Sequence, residues 1–370
     1  ANWSANGWFG GRNVKRRVLG YQIQPREDAD AWLQAIAVVS AVIAGLLVSS
    51  IFIVLARTSV SRAYYFLVLG GFGSFRAVLN TLTKATPLIF TGIAAVVAFR
   101  SKIWNIGGEG QLLAGAMAAY GTIITFPQLP TFLLIPLVVI MSFIAGGACG
   151  FLVAFLKDGF NVDVIVSTVM MNYIIMYLLS FLISGVWQAP GAYYQQSPFI
   201  PETSFLPVIV SGHRLHIGIL LALVVAVLAY LFIEKTPFGF EIRAIGSNPT
   251  ASEFKGINPV ANLYRVMIIS GGMAAIGGAI ELTGLVHRLN NDISIGYGFS
   301  GIIVALLGGL NPLGVILSAI LFGGLINGSY NMQINTGIPI TIAYVIQAII
   351  LLFSLGASLV TKYKIRRSSD

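Results

Sequence analysis

The sequence predicts an all-α fold, a polytopic bundle of about ten membrane-spanning helices with both termini on the cytoplasmic side. Of its 370 residues, 56% are hydrophobic and only 9% are charged, whereas a soluble domain carries roughly a quarter charged residues. Lys and Arg mostly flank apolar runs instead of forming one basic patch. The net charge of +9 therefore reflects membrane topology, and we expect no nucleic-acid partner.

The apolar runs give the predicted helices in order. A helix needs about 20 apolar residues to cross a bilayer, and fewer where it is broken or spans only in part. Small residues at GxxxG spacing, as in 146–150 and 324–328, predict close helix packing. The predicted segments are roughly 31–55, 79–99, 111–126, 130–156, 162–187, 215–233, 266–286, 298–310, 312–328 and 337–361.

The placement of basic residues predicts the orientation, because cytoplasmic loops retain positive charge. With the N-terminus inside, sixteen of the 22 Lys and Arg residues lie on the inner side and six on the outer side. This asymmetry favours both termini inside and an even number of spans. The outer six are Arg57, Arg62, Arg76, Lys84, Arg214 and Arg288.

Three regions follow from this topology. Residues 1–30 form a cytoplasmic N-terminal segment, of which 1–11 are set aside from the fold prediction as candidates for processing or cloning remnants. Residues 31–361 form the transmembrane domain, and 362–370 form a basic cytoplasmic tail. The longest loops are an outer one at about 188–214, whose four prolines suggest a structured cap, and an inner one at about 234–265.

Enzyme and metal chemistry find little support in the sequence. The single cysteine, Cys149, excludes an intramolecular disulfide and is interpreted as a packing residue. His213 and His216 lie in one loop and are interpreted as solvated rather than metal-binding. No Gly-Lys dipeptide occurs, so the phosphate-binding GxxxxGK[ST] loop is missing. We expect no catalytic residue, no metal and no cofactor bound by this chain.

Residues 105–111, NIGGEGQ, are the most polar and flexible stretch at a span boundary. Irregular backbone is tolerated there only beside protein or a watery cavity, and a short, glycine-interrupted span is typical of a translocation site. A tight cytoplasmic turn with a helix cap explains the same residues equally well. The polar candidates are Asn105, Glu109 and Gln111, and the hinge candidates are Gly107, Gly108 and Gly110.

Glu281 is the clearest acid inside an apolar span. A charge there is costly, so it usually faces a cavity or a partner. Arg288, two helical turns further along, is a possible partner, and a structural ion pair is as reasonable as a role in transport. Trp104 and Asn172 join Glu281 as candidates for lining a substrate path. Their uncharged surroundings suit a neutral polar molecule with a flat apolar face; these are Ser167, Thr168, Met170, Met171 and Tyr173.

The inner loop contains a short helix with clear end signals. Asn248 suits the N-cap, Pro249 the first helical position and Gly256 the C-terminal stop. A short helix outside the membrane has little to bury against, which favours a protein partner, although lipid headgroups could also receive it. The candidate contact residues are Arg243, Asn248, Pro249, Glu253, Phe254, Lys255 and Gly256.

These motifs carry a resemblance. NIGGEGQLLAGAMAAYG resembles the signature of permease subunits of bacterial ATP-binding cassette (ABC) importers of the branched-chain amino acid, ribose and nucleoside group. GFEIRAIGSNPTASEFKGINPV, followed by SGGMAAIGGAIELTG, is similar to the cytoplasmic loop and next span of that group. The resemblance covers about residues 30 to 365 and is closest to general nucleoside uptake permeases.

The resemblance implies a nucleoside importer in the bacterial cell membrane that works by alternating access. Its implied partners are a cytoplasmic ATPase that uses the ATP, a second permease subunit, identical or related, and an extracellular nucleoside-binding lipoprotein. Residues 249–255 would match the coupling helix that seats on the ATPase, and Gly107, Glu109 and Gln111 would match the motif near the path. A simple sugar or a branched-chain amino acid is the alternative cargo, and an ion-coupled carrier or channel using Glu281 is a remote alternative.

Overall fold

The computed structural model describes residues 16–18, 21–25, 31–339 and 341–367. Most of the predicted N-terminal segment 1–30 and the last three residues of the predicted tail 362–370 lie outside the described residues. The chain divides into two compact units. One comprises residues 1–49 and 348–370, and the other comprises residues 50–347.

The first unit joins the two ends of the chain. Strands β1 (Arg16–Val18), β2 (Tyr21–Pro25) and β3 (Tyr363–Arg367) form an antiparallel sheet in that order. The all-α prediction did not include this small sheet, because residues 1–30 were treated as a plain segment. The unit also contains most of α1 (Ala31–Leu55) and the later part of α13 (Thr341–Lys362).

The second unit is a helical bundle and carries the predicted motifs. Between the ends of α1 and α13 it contains α2 (Val60–Phe72), α3 (Phe75–Arg100), α4 (Gly108–Thr125), α5 (Thr131–Phe160), α6 (Val164–Ser184), α7 (Gly218–Lys235), α8 (Pro237–Ser247), α9 (Pro249–Phe254), α10 (Pro259–Glu281), α11 (Tyr297–Leu307) and α12 (Pro312–Thr336). A π-helical turn, Leu282–Val286, continues α10. The all-α membrane bundle predicted from composition is confirmed.

Among the described residues, six helices are long and apolar enough to cross a membrane, or seven if α1 and α2 make one broken span. The six are α3, α5, α6, α7, α10 with its π-helical turn, and α12. Helix α2 was not predicted, since its 13 residues are too few for a full crossing. The count of ten spans and the cytoplasmic position of the termini stay predictions.

Small residues bring α10 against α4 and α5, as the GxxxG spacing predicted. A Cβ on Gly146 would lie 2.2 Å from the carbonyl oxygen of Gly271, and one on Gly150 would lie 2.1 Å from that of Met267. On the other side of α10, a Cβ on Gly278 would lie 1.9 Å from the carbonyl oxygen of Leu112. The backbones therefore touch at these points, which fixes α4 and α5 on α10.

Helix α12 packs on α2 and α3 in the same way. A Cβ on Gly328 would lie 2.1 Å from the carbonyl oxygen of Leu67, and one on Gly323 would lie 2.6 Å from that of Thr81. Helix α3 thus runs between α10, α11 and α12 and is buried along most of its length.

Candidate functional site

Asn105 and Gln111 of NIGGEGQ form a network of neutral side chains with Ser270, between α3, α4 and α10. Asn105 and Gln111 are both buried, and their amide groups exchange hydrogen bonds of 3.1 and 3.3 Å. The Asn105 amide also donates to the Ser270 hydroxyl at 2.9 Å, and that hydroxyl donates to the Ala94 carbonyl oxygen at 2.7 Å. The network therefore ties the turn before α4 to the middle of two spans.

Asn172 on α6 connects the same turn to a further helix. Its side-chain oxygen accepts from the Gly110 backbone N–H at 2.7 Å, and its amide nitrogen donates to the Ile106 carbonyl oxygen at 3.0 Å. The first N–H groups of a helix lack partners within that helix. Asn172 supplies a partner for the Gly110 N–H from a neighbouring helix, so its amide caps α4.

Glu109 caps the N-terminus of α11, as Asn172 caps that of α4. Its carboxylate accepts from the Gly298 backbone N–H at 2.7 Å, at the N-terminus of that helix. Anionic groups are favourable at helix N-termini. A Cβ on Gly298 would lie only 2.1 Å from the backbone nitrogen of Glu109, so the N-terminal ends of α4 and α11 touch.

The three hinge candidates occupy regular backbone in this structure. Gly108 and Gly110 lie inside α4, and Gly107 is its N-cap with φ −77°. The predicted unwinding at these glycines is therefore not seen. Their small size serves close packing instead, since a Cβ on Gly110 would lie 2.8 Å from the Asn172 Cα.

Trp104 lies apart from this network. Its side chain is 48% exposed and its ring contacts Phe99, with centroids 4.7 Å apart. The structure thus brings Asn105, Gln111 and Asn172 together around the start of α4 and places Trp104 outside them.

Glu281 belongs to a separate charged cluster at the end of α10. It is 1% exposed, and its carboxylate lies 3.5 Å from the Lys84 ammonium. The Tyr297 hydroxyl donates to the same carboxylate oxygen at 3.3 Å, and the Lys84 ammonium lies 5.7 Å from the centre of the Tyr297 ring. The second oxygen, Oε2, is buried without a hydrogen-bond partner among the described residues.

The expected pairing of Glu281 with Arg288 was wrong. The helix does not continue regularly, because the π-helical turn Leu282–Val286 follows Glu281 and His287 has φ +59°. Arg288 instead lies over the Phe199 ring, 4.8 Å from its centre. Lys84 was missed although it carried a signal, a lysine inside the apolar segment predicted at 79–99.

The inner loop contains two helices where the sequence predicted one. Asn248 caps α9 as predicted, its side chain accepting from the Ala251 N–H at 3.1 Å, and Gly256 has φ +84°. Phe254 is 89% exposed on α9. The additional helix α8 uses the same signals, a Thr236 cap followed by Pro237 at the first position.

Helix α8 is connected to the C-terminal end of α3. Glu234, near the end of α7, forms ion pairs with Arg100 at 3.0 Å and with Arg243 of α8 at 3.3 Å. Arg243 also donates a hydrogen bond to the Ile233 carbonyl oxygen. Arg100 in turn donates to the Leu310 carbonyl oxygen at 2.8 Å, in the turn between α11 and α12. The ends of α3 and α7 and the middle of α8 therefore share one set of charges.

Direct packing adds to these ion pairs. A Cβ on Gly246 would lie 2.0 Å from the Arg100 carbonyl oxygen, so α8 rests against the backbone that leads into NIGGEGQ. Ser101 receives a hydrogen bond of 2.9 Å from Asn262 at the start of α10. The end of α3 is therefore in contact with α8 and hydrogen-bonded to the start of α10.

The outer loop is the structured cap that its prolines suggested. Its backbone is hydrogen-bonded to the segment after α10. The Leu206 N–H donates to the Thr283 carbonyl oxygen at 3.0 Å, and the Ile200 N–H donates to that of His287 at 2.9 Å. His216, expected to be solvated, is 1% exposed. Burial, with a smaller contribution from His287, lowers the pKa of His216 to about 4, so this ring is neutral at physiological pH.

No group of three His, Cys, Asp or Glu residues that could hold a metal ion occurs within the described part of the chain. The arrangement offers neutral hydrogen-bonding groups at the start of α4, one buried ion pair with a free carboxylate oxygen, and an exposed helical loop.

Comparison with known proteins decides what kind of molecule this is. The family model described as "Branched-chain amino acid transport system / permease component" matches residues 77–355. The chain belongs to this family. It is an ABC transporter permease, a multi-pass protein of the cell membrane and the transport component of its system.

Its relatives include nucleoside and sugar permeases. The permease is 38% identical to the guanosine ABC transporter permease protein NupP of Bacillus subtilis, over 85% of this chain and 90% of that protein. It is 32% identical to the nucleoside ABC transporter permease protein NupB of Lactococcus lactis, over 85% of this chain and 88% of that protein. It is 29% identical to the glucose ABC transporter permease protein TsgB13 of Haloferax volcanii, over 94% and 96%. No solved structure matches the permease.

Proposed function

We propose that the permease carries nucleosides into the cell by alternating access, driven by ATP hydrolysis on a separate cytoplasmic ATPase. Two relatives at 32% and 38% identity are named for nucleosides or guanosine. The amide network at the start of α4 offers neutral donors and acceptors, which agree with an uncharged polar cargo.

The exposed inner loop is the observation that carries the proposed drive. Helix α9 is only six residues long and presents Phe254 at 89% exposure. An exposed aromatic side chain on a capped helix suits the centre of a protein interface. Arg243, Glu253, Lys255 and the helix ends at Asn248, Pro249 and Gly256 complete the surface that would receive the ATPase.

Movement would pass from this surface through α8 to α3. Glu234 holds Arg100 and Arg243 together, and Gly246 touches the Arg100 backbone. Pressure on α9 therefore has a rigid connection to the helix that leads into NIGGEGQ. Gly107, Gly108 and Gly110 would absorb the resulting change as hinges.

The substrate path remains part of the proposal. We place Trp104, Asn105, Glu109, Gln111, Asn172 and Glu281 along it or in its support. A second permease subunit and an extracellular nucleoside-binding protein would complete the importer, since family members work with such partners. A sugar is the second candidate cargo, favoured by the 29% identity to a glucose permease over nearly the whole chain.

Reconstituted uptake tests this function. The permease is assembled with its ATPase and binding protein in proteoliposomes, and uptake of radiolabelled guanosine and glucose is followed with and without ATP. We expect ATP-dependent uptake of guanosine. ATP-dependent uptake of glucose alone would overturn the cargo, and ion-gradient-driven uptake by the permease without any ATPase would overturn the mechanism in favour of a carrier using Glu281.

A further inference from the structure

A cavity of about 500 Å³ opens between α2, α3 and α12, at the opposite end of α3 from the inner loop. Its volume is within the range of about 300–1,000 Å³ that is typical of small-molecule sites. We call it the α3–α12 pocket. Its polar lining residues are Ser74, Arg76, Asn80, Asn327, Tyr330 and Asn331.

The position of the pocket follows from the length of α3. Helix α3 has 26 residues and is therefore about 39 Å long. Arg76 and Asn80 lie near its beginning, whereas α8 packs on Arg100 at its end. With the inner loop on the cytoplasmic side, the pocket opens toward the outer side of the membrane.

Two polar stripes face this pocket. Arg76, Asn80 and Lys84 recur every four residues on α3, which places them on one face of the helix. Asn327, Tyr330 and Asn331 share a face of α12 in the same way. Such stripes are costly in a membrane protein unless they line a cavity or have partners.

The pocket offers both committed and free hydrogen-bonding groups. Asn327 donates to the Gly70 carbonyl oxygen at 2.8 Å and Asn331 to that of Phe66 at 3.1 Å, so both amides are held in place. The side chains of Asn80 and Arg76 make no hydrogen bond or ion pair with other described residues. Arg76 is exposed and Asn80 is half-buried, so both side chains are available to a ligand beside the two fixed amides.

The buried charged cluster lies at the inner end of the same stripe. Lys84 is one helical turn beyond Asn80 on α3, and its partner Glu281 has an oxygen without a hydrogen-bond partner among the described residues. Tyr330, on the α12 side of the pocket, is 39% exposed. The pocket and the cluster are therefore consecutive parts of one polar track.

We propose that the α3–α12 pocket is the outer receiving site for the transported nucleoside, a ligand class that rests on the proposed function. The free amide of Asn80 can donate to and accept from a base edge or a ribose hydroxyl. The exposed Tyr330 ring offers a surface on which a base can stack. The ligand then moves along the stripe toward Lys84 and Glu281.

Protection of a cysteine at position 80 tests the site. In the assembled importer, with Cys149→Ala to remove the native thiol, Asn80→Cys is treated from outside with a small charged methanethiosulfonate reagent. We expect modification that saturating guanosine slows about tenfold. The matched control is Gln333→Cys on α12, exposed but not part of the pocket lining, which guanosine leaves equally reactive.

The outcomes separate the site from the function. If the importer carrying native Asn80 takes up guanosine but guanosine does not slow modification at position 80, the pocket is not the receiving site and the proposed function stands. If the importer takes up only glucose, and only glucose protects position 80, the nucleoside assignment fails both for the transported cargo and for the pocket. Equal protection at positions 80 and 333 would also overturn the site.

Discussion

The two ends of α3 have opposite polar character. At the inner end, Arg100 and Ser101 have bonds to the inner loop, the α11–α12 turn and α10, and Asn105 follows with all its amide groups engaged. At the outer end, Lys84 pairs with Glu281, whose second oxygen has no hydrogen-bond partner among the described residues, and the side chains of Asn80 and Arg76 have no partner among those residues.

This difference teaches how one helix can serve two purposes. Bonded groups transmit displacement, because moving one group moves its partners. Groups that bond only to water remain available to a ligand, which can replace that water with its own hydrogen bonds. The inner end of α3 is therefore suited to coupling and the outer end to binding.

Breaking the charged pair should have the largest effect on stability. Lys84→Met leaves Glu281 buried beside Tyr297 without its cation, and we expect a loss of about 3 kcal/mol in the free energy of unfolding. The measurement is denaturant unfolding of the purified permease in a double-mutant cycle with Glu281→Gln.

The coupling between the two substitutions in this cycle should have a definite sign. The double variant should be more stable than Lys84→Met alone, since the uncompensated charge is gone. Arg76→Met, on the same face but without an ion pair in the described chain, serves as the control and should change stability by no more than about 0.5 kcal/mol. Strictly additive losses would show that the pair does not hold this end of α3 together.

Two glycines at the contact between α4 and α11 test the inner half of the comparison, with a smaller expected effect. Gly298→Ala places a methyl group 2.1 Å from the Glu109 backbone and should cost about 1–3 kcal/mol through forced separation of α4 and α11. Gly108→Ala meets nothing closer than 3.4 Å and should be neutral or slightly stabilising. The thermal unfolding midpoints of the two variants are compared, and equal shifts would refute the close contact between Gly298 and Glu109.

Local signals in the sequence predicted local structure well. Asn248, Pro249 and Gly256 act over a few residues, and the helix they predict is present. The GxxxG spacings on α5 and α12 likewise predicted close helix approach, because small residues let helix backbones come together in a membrane. Helix α8 was missed, although Thr236 and Pro237 repeat the signal that revealed α9.

Long-range pairs could not be predicted in this way. Lys84 and Glu281 are separated by almost two hundred residues, so only the packing of α3 on α10 brings them together. The alternative partner Arg288 was chosen by assuming regular helix, and the π-helical turn after Glu281 removed that assumption. The same reason applies to the α3–α12 pocket, whose walls come from three separated helices.

A photo-cross-link from position 254 tests the central claim, that a separate motor acts on α9. A benzoylphenylalanine replaces Phe254 in the assembled importer, and the matched control replaces Phe75, which is 67% exposed at the opposite end of α3. Irradiation should attach the ATPase to position 254 and not to position 75. Attachment of position 254 to lipid alone, in a preparation that still takes up substrate with ATP, would contradict the account.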